Sequence, residues 1–354
     1  MYFFKTNDEL GCLMSNVTLK QVAQAAGVSM KTVSRVINRS PDVAERTRQR
    51  VEQVIEALNY QPNTLARSLA SGKANTIGVI VHHAVQQIFH YPFFNALLGG
   101  ISACLNENRL DLLLRFMDSE STYTELYDQR RVDGLIITNA PLDNPRIDEL
   151  IRRNIPCVFT SRITLNENRS HWVESDFAYG LYQATRHLLD LGHERIAINA
   201  GPDNMAISHL RAEGYRKALL AHGLTIDEDL TVFGELFLEY ERVEQQLLDK
   251  WLSLHHPPTA IIAGDDLGAV NIIKRLKHLG YRVPDDVSVI GVDDTPLAQI
   301  VTPQLTSVRQ QAYQKGYTAA DSLMKITSAA PETPLQVELD MSLIVRDSTA
   351  EPPK

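Results

Sequence analysis

The chain lacks the features that mark membrane, secreted or metal-stapled proteins. No stretch of 18 apolar residues occurs in its 354 residues, so no membrane-crossing helix is expected. The opening run Met1-Tyr2-Phe3-Phe4-Lys5-Thr6-Asn7-Asp8-Glu9 has no basic lead, long apolar core or small-residue cleavage site, and does not read as a signal peptide. Cysteine is scarce. Cys12, Cys104 and Cys157 lie far apart without CxxC or Cys/His ligand spacing, which fits buried, reduced thiols in the cytoplasm. His82-His83 and His255-His256 are adjacent pairs without helical metal spacing, expected on the surface or in loops. Enzyme signatures are missing as well: there is no GxSxG elbow, no GxGxxG fingerprint and no phosphate loop, Ser71-Gly72-Lys73 lacking the upstream glycine. No catalytic residue, metal or cofactor is expected.

What the chain does have is an uneven distribution of charge. The overall charge is -8, yet Ser15 to Ala74 carries nine basic residues against four acidic ones, a local +5, leaving -13 for the rest. A basic head on an acidic body suits a protein whose small end meets phosphates, although a basic face alone is also what a solvated surface looks like.

Three short helices are predicted in that head. Thr18-Leu19-Lys20-Gln21 has the form of a capping box, followed by Leu19, Val22, Ala23 and Ala26 on one helical face. Gly27 ends that helix and Ser29 can cap a second from Met30 to about Ile37. There Val33, Val36 and Ile37 face inward and leave Met30, Lys31, Ser34 and Arg35 outward. A third runs roughly from Glu45 to Leu58, with Val51, Val54, Ile55 and Leu58 at core spacing. Helix, tight glycine turn and a second helix with small, polar and basic side chains at its start is a DNA-reading arrangement, and such a helix fits the major groove. Beyond it, Pro62 stops the third helix and Asn63 can cap a short segment from Thr64 to Ala70 that Gly72 ends. A helix of about seven residues is unstable alone in water, so it is expected to order on DNA.

The run from Thr18 to Asn38, together with Asn59-Tyr60-Gln61-Pro62-Asn63-Thr64-Leu65-Ala66-Arg67-Ser68-Leu69, resembles the head and hinge of the lactose/galactose repressor (LacI/GalR) family. The likeness is nearly unbroken from Thr18 to Gly78 and resumes in blocks to Thr349. It implies DNA contacts from Thr18, from Ser29, Met30, Lys31, Thr32, Ser34 and Arg35 on the second helix, and from Asn38 after it. In the hinge it implies Asn63, Ala66, Arg67 and Leu69, with Leu69 as the apolar wedge that opens a central base step in the minor groove. The sequence departs from the family at Ala44, where a serine usually precedes the third helix. A lost cap costs ~0.5–2 kcal/mol, and Asp42 is expected to substitute in part. Residues 1–13 have no family counterpart, and Met14-Ser15-Asn16 looks like a natural start.

After Asn75 the pattern changes to short apolar runs separated by amphipathic stretches: Ile77–Val81, Asp111–Leu114, Gly134–Ile137, Pro156–Phe159, Arg195–Ile198, Thr259–Ile262 and Val287–Val292. Apolar strands alternating with helices indicate parallel sheets covered on both faces. About ten such units are too many for one small sheet. The expected fold is therefore an all-α helix-turn-helix head plus an α/β core of two Rossmann-like parallel-sheet subdomains, which the resemblance makes the periplasmic-binding-protein type. The expected division is an extension over residues 1–14, the head over 15–62 and a hinge and linker over 63–74. One core subdomain would comprise 75–174 and 308–340, the other 175–307 and 341–348, with a tail over 349–354.

Ligands in such folds sit beyond the carboxyl ends of the strands, in the cleft between subdomains. The resemblance assigns Arg211, Asp265 and Asp293 to hold sugar hydroxyls and Phe93 and Phe94 to an aromatic lip, and Ser161 and Arg162 end a third strand. Asp266 and Asp294 read as caps or turn residues, Arg211 could instead pair with Glu213, and either phenylalanine could be core. Asp265 stands where asparagine or serine is commoner in the family. The resemblance implies a repressor of carbohydrate genes that binds a pseudo-palindromic double-stranded operator as a homodimer and answers to a small-molecule effector. That effector would be a sugar, or in other relatives a purine, nucleoside or sugar phosphate, and Arg162 leaves room for an anion. A free-standing sugar-binding protein shares the core fold, but the DNA-reading head argues against it.

Overall fold

The computed structural model describes residues 17–37, 40–61, 72–82, 89, 91–117, 122–142, 144–163, 167–234, 240–329 and 331–354. They fall into two compact units, split between Lys73 and Ala74. The expected DNA contacts Asn38, Asn63, Ala66, Arg67 and Leu69, the suggested start at Met14, and Cys12 lie outside the described residues.

The first unit holds three helices, α1 (Leu19–Ala26), α2 (Met30–Ile37) and α3 (Glu45–Ala57). Thr18 and Gln21 close a reciprocal capping box at the start of α1, and Gly27, at φ 64°, ends it in the left-handed region that glycine enters without penalty. At the start of α2 the Thr32 amide donates to Ser29 Oγ at 3.1 Å. Val22, Ala23, Ala26, Val33, Val36, Val43, Val51 and Tyr60 form the buried core. Two expectations are corrected. Leu58 caps α3 and is 36% exposed instead of joining the core. Asp42 does not replace the missing cap, because its carboxylate accepts from Ser40 Oγ, and Ala44 leaves α3 with no side-chain cap.

The second unit contains two six-stranded sheets. The first is ordered β11 (Gln336–Leu339), β5 (Trp172–Ser175), β4 (Cys157–Phe159), β3 (Gly134–Thr138), β1 (Thr76–Val81) and β2 (Asp111–Phe116), with every pairing parallel. The second is ordered β12 (Ser342–Ile344), β10 (Thr306–Arg309), β9 (Ser288–Asp293), β8 (Ala260–Ile262), β6 (Ile196–Asn199) and β7 (Thr231–Val232). It is parallel except at its edge, where β12 runs against β10. All of the apolar runs found in the sequence lie on these strands or overlap them.

Helices cover the sheets on either side. On the first, α4 (Pro92–Glu107) packs along α12 (Ala312–Ser328), with α5 (Glu125–Asp128) and α6 (Pro145–Arg152) also in this subdomain. The α4–α12 crossing is so close that a Cβ on Gly100 would lie 1.9 Å from the Tyr313 carbonyl oxygen, and one on Gly316 2.0 Å from that of Leu97. On the second sheet α7 (Phe177–Asp190) packs on α8 (Ala206–Ala221), with α9 (Tyr240–Leu252), α10 (Asp266–His278) and α11 (Pro296–Ile300) completing the cover. Cys104 and Cys157 are free and buried, and burial pushes their thiols up to about 11 and about 12.

The chain crosses between the sheets three times: after Ser175, after Arg309 and between Leu339 and Ser342. The second crossing falls two residues beyond the expected boundary at 308, because Val308 is a ladder residue of the second sheet, opposite Val292 and Leu343. Residues 349–350 of the tail are anchored to the second subdomain. The Ala350 carbonyl meets His193 Nε2 at 2.9 Å and the Ala350 amide donates to Ser288 Oγ at 3.1 Å.

Candidate functional site

The three crossings bring the strand ends of both sheets to one cleft. Its walls are Tyr91, Phe93, Asn139, Thr160, Ser161, Glu174, Pro202, Met205, Ile207, Arg211, Gln310 and Lys315. The cavity amounts to about 40 Å³, room for a few waters and too little for a sugar ring. A wider hollow of about 390 Å³ shares Phe93 and Gln310 with it and is also lined by Asp293, Asp294 and Arg309.

Of the residues expected at a ligand site, Phe93, Ser161 and Arg211 line the cleft and Asp293 lines the adjoining hollow. Arg211 is only 3% exposed. Its guanidinium carbon sits 4.9 Å from the centre of the Phe177 ring, one Nη reaches the Ala200 carbonyl at 3.4 Å, and Nε has no hydrogen-bond partner. It does not pair with Glu213, which is exposed. Ser161 Oγ is likewise buried without a partner. Buried donors left unpaired are costly, and here two of them line one cavity.

Asp293 ends β9 with φ 106°, followed by Asp294 at φ 52°, a backbone that side-chain-bearing residues rarely adopt and that needs holding in place. Tyr91 Oη and Gln310 Nε2 both donate to the Asp293 carboxylate. Asp294 is held by Arg309 and Arg346 at 2.7 and 2.6 Å. Burial, and next the charge of Asp266, push the Asp293 carboxyl up to about 8. Asp266 accepts from Thr295 Oγ1 at 2.8 Å and from Ser307 Oγ at 2.6 Å, and burial raises its carboxyl to about 7. Asp266 also accepts from the Thr295 amide at the start of α11, and Asp294 is a turn residue held by two arginines.

Three expected residues lie elsewhere. Phe94 is in the core, 1% exposed, among residues such as Leu97 and Ile101, because one helical residue after Phe93 turns its side chain about 100° away. The guanidinium of Arg162 is 2.7 Å from Glu338 and stacks on Trp172 at 4.8 Å, so its charge is committed to the strand edge. Asp265 is fully buried and caps α10, accepting from the Gly268 amide at 2.7 Å.

Sequence reasoning passed over Tyr91, Glu174, Gln310 and Lys315. Two of these left a signal: Glu174 interrupts the buried strand Trp172–Ser175, and Lys315 interrupts the buried face formed by Gly316, Ala319, Ala320 and Leu323. They pair with each other, Lys315 Nζ lying 2.7 Å from Glu174 Oε1 with both side chains buried. In the head, Met30, Lys31 and Arg35 on α2 are exposed, Thr32 and Ser34 are half-buried, and Thr18 and Ser29 sit at helix starts.

A helix-turn-helix unit followed in one chain by a two-sheet, ligand-cleft unit defines a ligand-controlled DNA-binding regulator. A family model described as bacterial regulatory proteins, lacI family, matches residues 18–63, and a periplasmic binding protein-like domain matches 185–349. The HTH-type transcriptional regulator CelR of Thermobifida fusca is 33% identical over 336 residues, covering 94% of this chain and 98% of that protein. The ribose operon repressor of Escherichia coli (strain K12) is 33% identical over 317 residues, 87% of this chain and 92% of that protein. Among solved structures, a lac repressor dimer bound to operator and the anti-inducer ONPF matches with TM-score 0.81 at 27% identity, over 94% of this chain and 99% of that one. A CelR–cellobiose complex matches with TM-score 0.71 at 32% identity, over 94% and 99%. The chain belongs to the LacI family of bacterial transcription regulators. Among the described residues no helix is long and apolar enough to cross a membrane.

Proposed function

We propose that the protein represses carbohydrate uptake or catabolism genes from the cytoplasm, binding a pseudo-palindromic operator as a homodimer and answering to a sugar held in the core cleft. The observation that carries the reading is the pair of unpartnered buried donors, Arg211 Nε and Ser161 Oγ, on either side of one cleft with the Phe93 ring on its wall. Sugar hydroxyls are acceptors as well as donors, and can satisfy both groups while a ring face rests on the aromatic surface. The names of two relatives, CelR solved with cellobiose and the ribose operon repressor, support a sugar.

Exposed Lys31 and Arg35 on α2 would read bases or phosphates in the major groove, with Leu69 as the minor-groove wedge. Two heads per dimer would match the two halves of the operator. A ligand that binds the open and closed forms of the cleft unequally would shift their populations and so the fit of the paired heads to DNA. Thermal melting of the purified protein against neutral sugars, sugar phosphates and nucleobases tests the reading. A ligand at ~100 times its Kd adds about 2.7 kcal/mol of stability, so a sugar among the hits supports it and a response to nucleobases alone overturns it.

A further inference from the structure

The cleft holds two buried cations and more donors than its own acceptors use. Arg211, Lys315 and Glu174 line it, and the buried Asp293 lines the adjoining hollow. The Glu174 carboxylate is held without help from Lys315, because Oε1 accepts from the Ser175 amide at 2.9 Å and Oε2 from the Arg162 amide at 3.1 Å. Lys315 approaches that same Oε1 at 2.7 Å, which uses one of the three N–H donors of an ammonium. On the other side Arg211 keeps Nε without a partner. The two cations approach one ring, Lys315 Nζ at 5.7 Å and the Arg211 guanidinium at 4.9 Å from the centre of Phe177.

Lys315 is also poorly placed for stability. It stands in the first turn of α12, next to the positive end of the helix dipole, where a cation is disfavoured. A buried ion pair with one partner already satisfied contributes little that an apolar pair would not. Both features are explained by a ligand that brings its own negative charge.

We infer that the effector is a sugar acid, a six-carbon aldonate or uronate whose carboxylate is received between Lys315 and Arg211. The inference rests on the reading of this cleft as the effector site. A carboxylate accepts at both oxygens and donates nothing, matching walls with donors to spare. A neutral sugar brings no charge for Lys315 and Arg211 to meet, and a phosphate ester, near -2 at neutral pH, would face the buried acids Glu174 and Asp293 with twice the charge.

The test is thermal melting and calorimetric titration of the full chain with gluconate, glucuronate and galacturonate, beside glucose, galactose, glucose 6-phosphate and adenine. At least one acid is expected to raise the melting temperature and to bind at least tenfold tighter than its neutral counterpart. Lys315→Met is expected to remove that preference. Because Lys315→Met leaves Glu174 buried beside an apolar side chain, Glu174→Gln/Lys315→Met serves as the second variant. It should fold, as judged by its melting transition, and lose the acid preference as well. Retention of the preference in the folded double variant overturns the role of Lys315. If no acid raises the melting temperature the inference falls whatever else binds: a neutral sugar alone leaves the effector-site reading standing, and adenine alone removes both.

Discussion

The phenol of Tyr91 donates to the carboxylate of Asp293, and the two residues stand on opposite sides of the cleft. Tyr91 precedes α4 over the first sheet, whereas Asp293 ends β9 in the second. Gln310, on the second crossing, donates to the same carboxylate. One buried acid therefore ties the two subdomains and the second crossing together beside the narrow cavity. Tyr91→Phe keeps the ring packing and removes the donor. It is expected to cost ~1–3 kcal/mol in denaturant unfolding, and to speed amide exchange at the three crossings without changing the secondary structure seen by circular dichroism.

Stability should also depend on pH through the same acid. Asp293 and Asp266 have carboxyls raised from 3.8 to about 8 and about 7. The folded state therefore holds protons that the unfolded state has released, and stability declines as pH rises from about 4 to about 8. Burial lowers His171, His187 and His193, which acts in the opposite sense below 6.5, so the clean window is pH 6.5 to 8. The melting temperature is expected to fall across it, and Asp293→Asn to flatten the fall. A wild-type melting temperature that rises across the window would contradict the account.

The head contains a correctable weakness. Ala44 occupies the N-cap of α3 with extended backbone and no side-chain hydrogen bond. Ala44→Ser supplies the oxygen that the first-turn amides lack, and should stabilise the head by about 1 kcal/mol, read as a rise in its unfolding midpoint.

How much of this was legible in the sequence depended on the range of the interactions involved. The capping box at Thr18, the stop at Gly27 and the strand pattern are local, and local periodicity exposed them. Leu58 and Asp42 were misjudged because their fates depend on where the chain turns after α3 and on the hydroxyl of Ser40, which competes for the aspartate. In the cleft, Arg211 and Phe93 could be placed from the family likeness. The Lys315–Glu174 pair joins residues 141 positions apart and could be seen only once the crossings brought α12 over β5. Phe94, one residue from Phe93, shows the limit in the other direction: a pattern can locate a helix end without fixing which of two adjacent rings faces the cleft.

Leu69 gives a prediction that rests on the family likeness. Leu69→Ala should weaken binding to the specific operator well beyond its effect on random duplex, since a wedge acts where a deformable central step is offered. Lys31→Ala should lower the dependence of affinity on salt by about one counterion if its contact is to phosphate. Anisotropy titrations on both duplexes over a range of salt read the two effects together, and equal losses on both duplexes for Leu69→Ala would rule out the wedge.

The account turns on whether the cleft governs the head. Operator affinity should be measured by fluorescence anisotropy, on a duplex selected from a random pool, with and without whichever sugar or sugar acid stabilises the protein, for wild type and Arg211→Ala. Wild-type affinity is predicted to change by ~5–150-fold, while Arg211→Ala binds the same duplex as tightly as unliganded wild type and does not respond. A wild-type affinity indifferent to a ligand that demonstrably binds, or an undiminished response in Arg211→Ala, would contradict it.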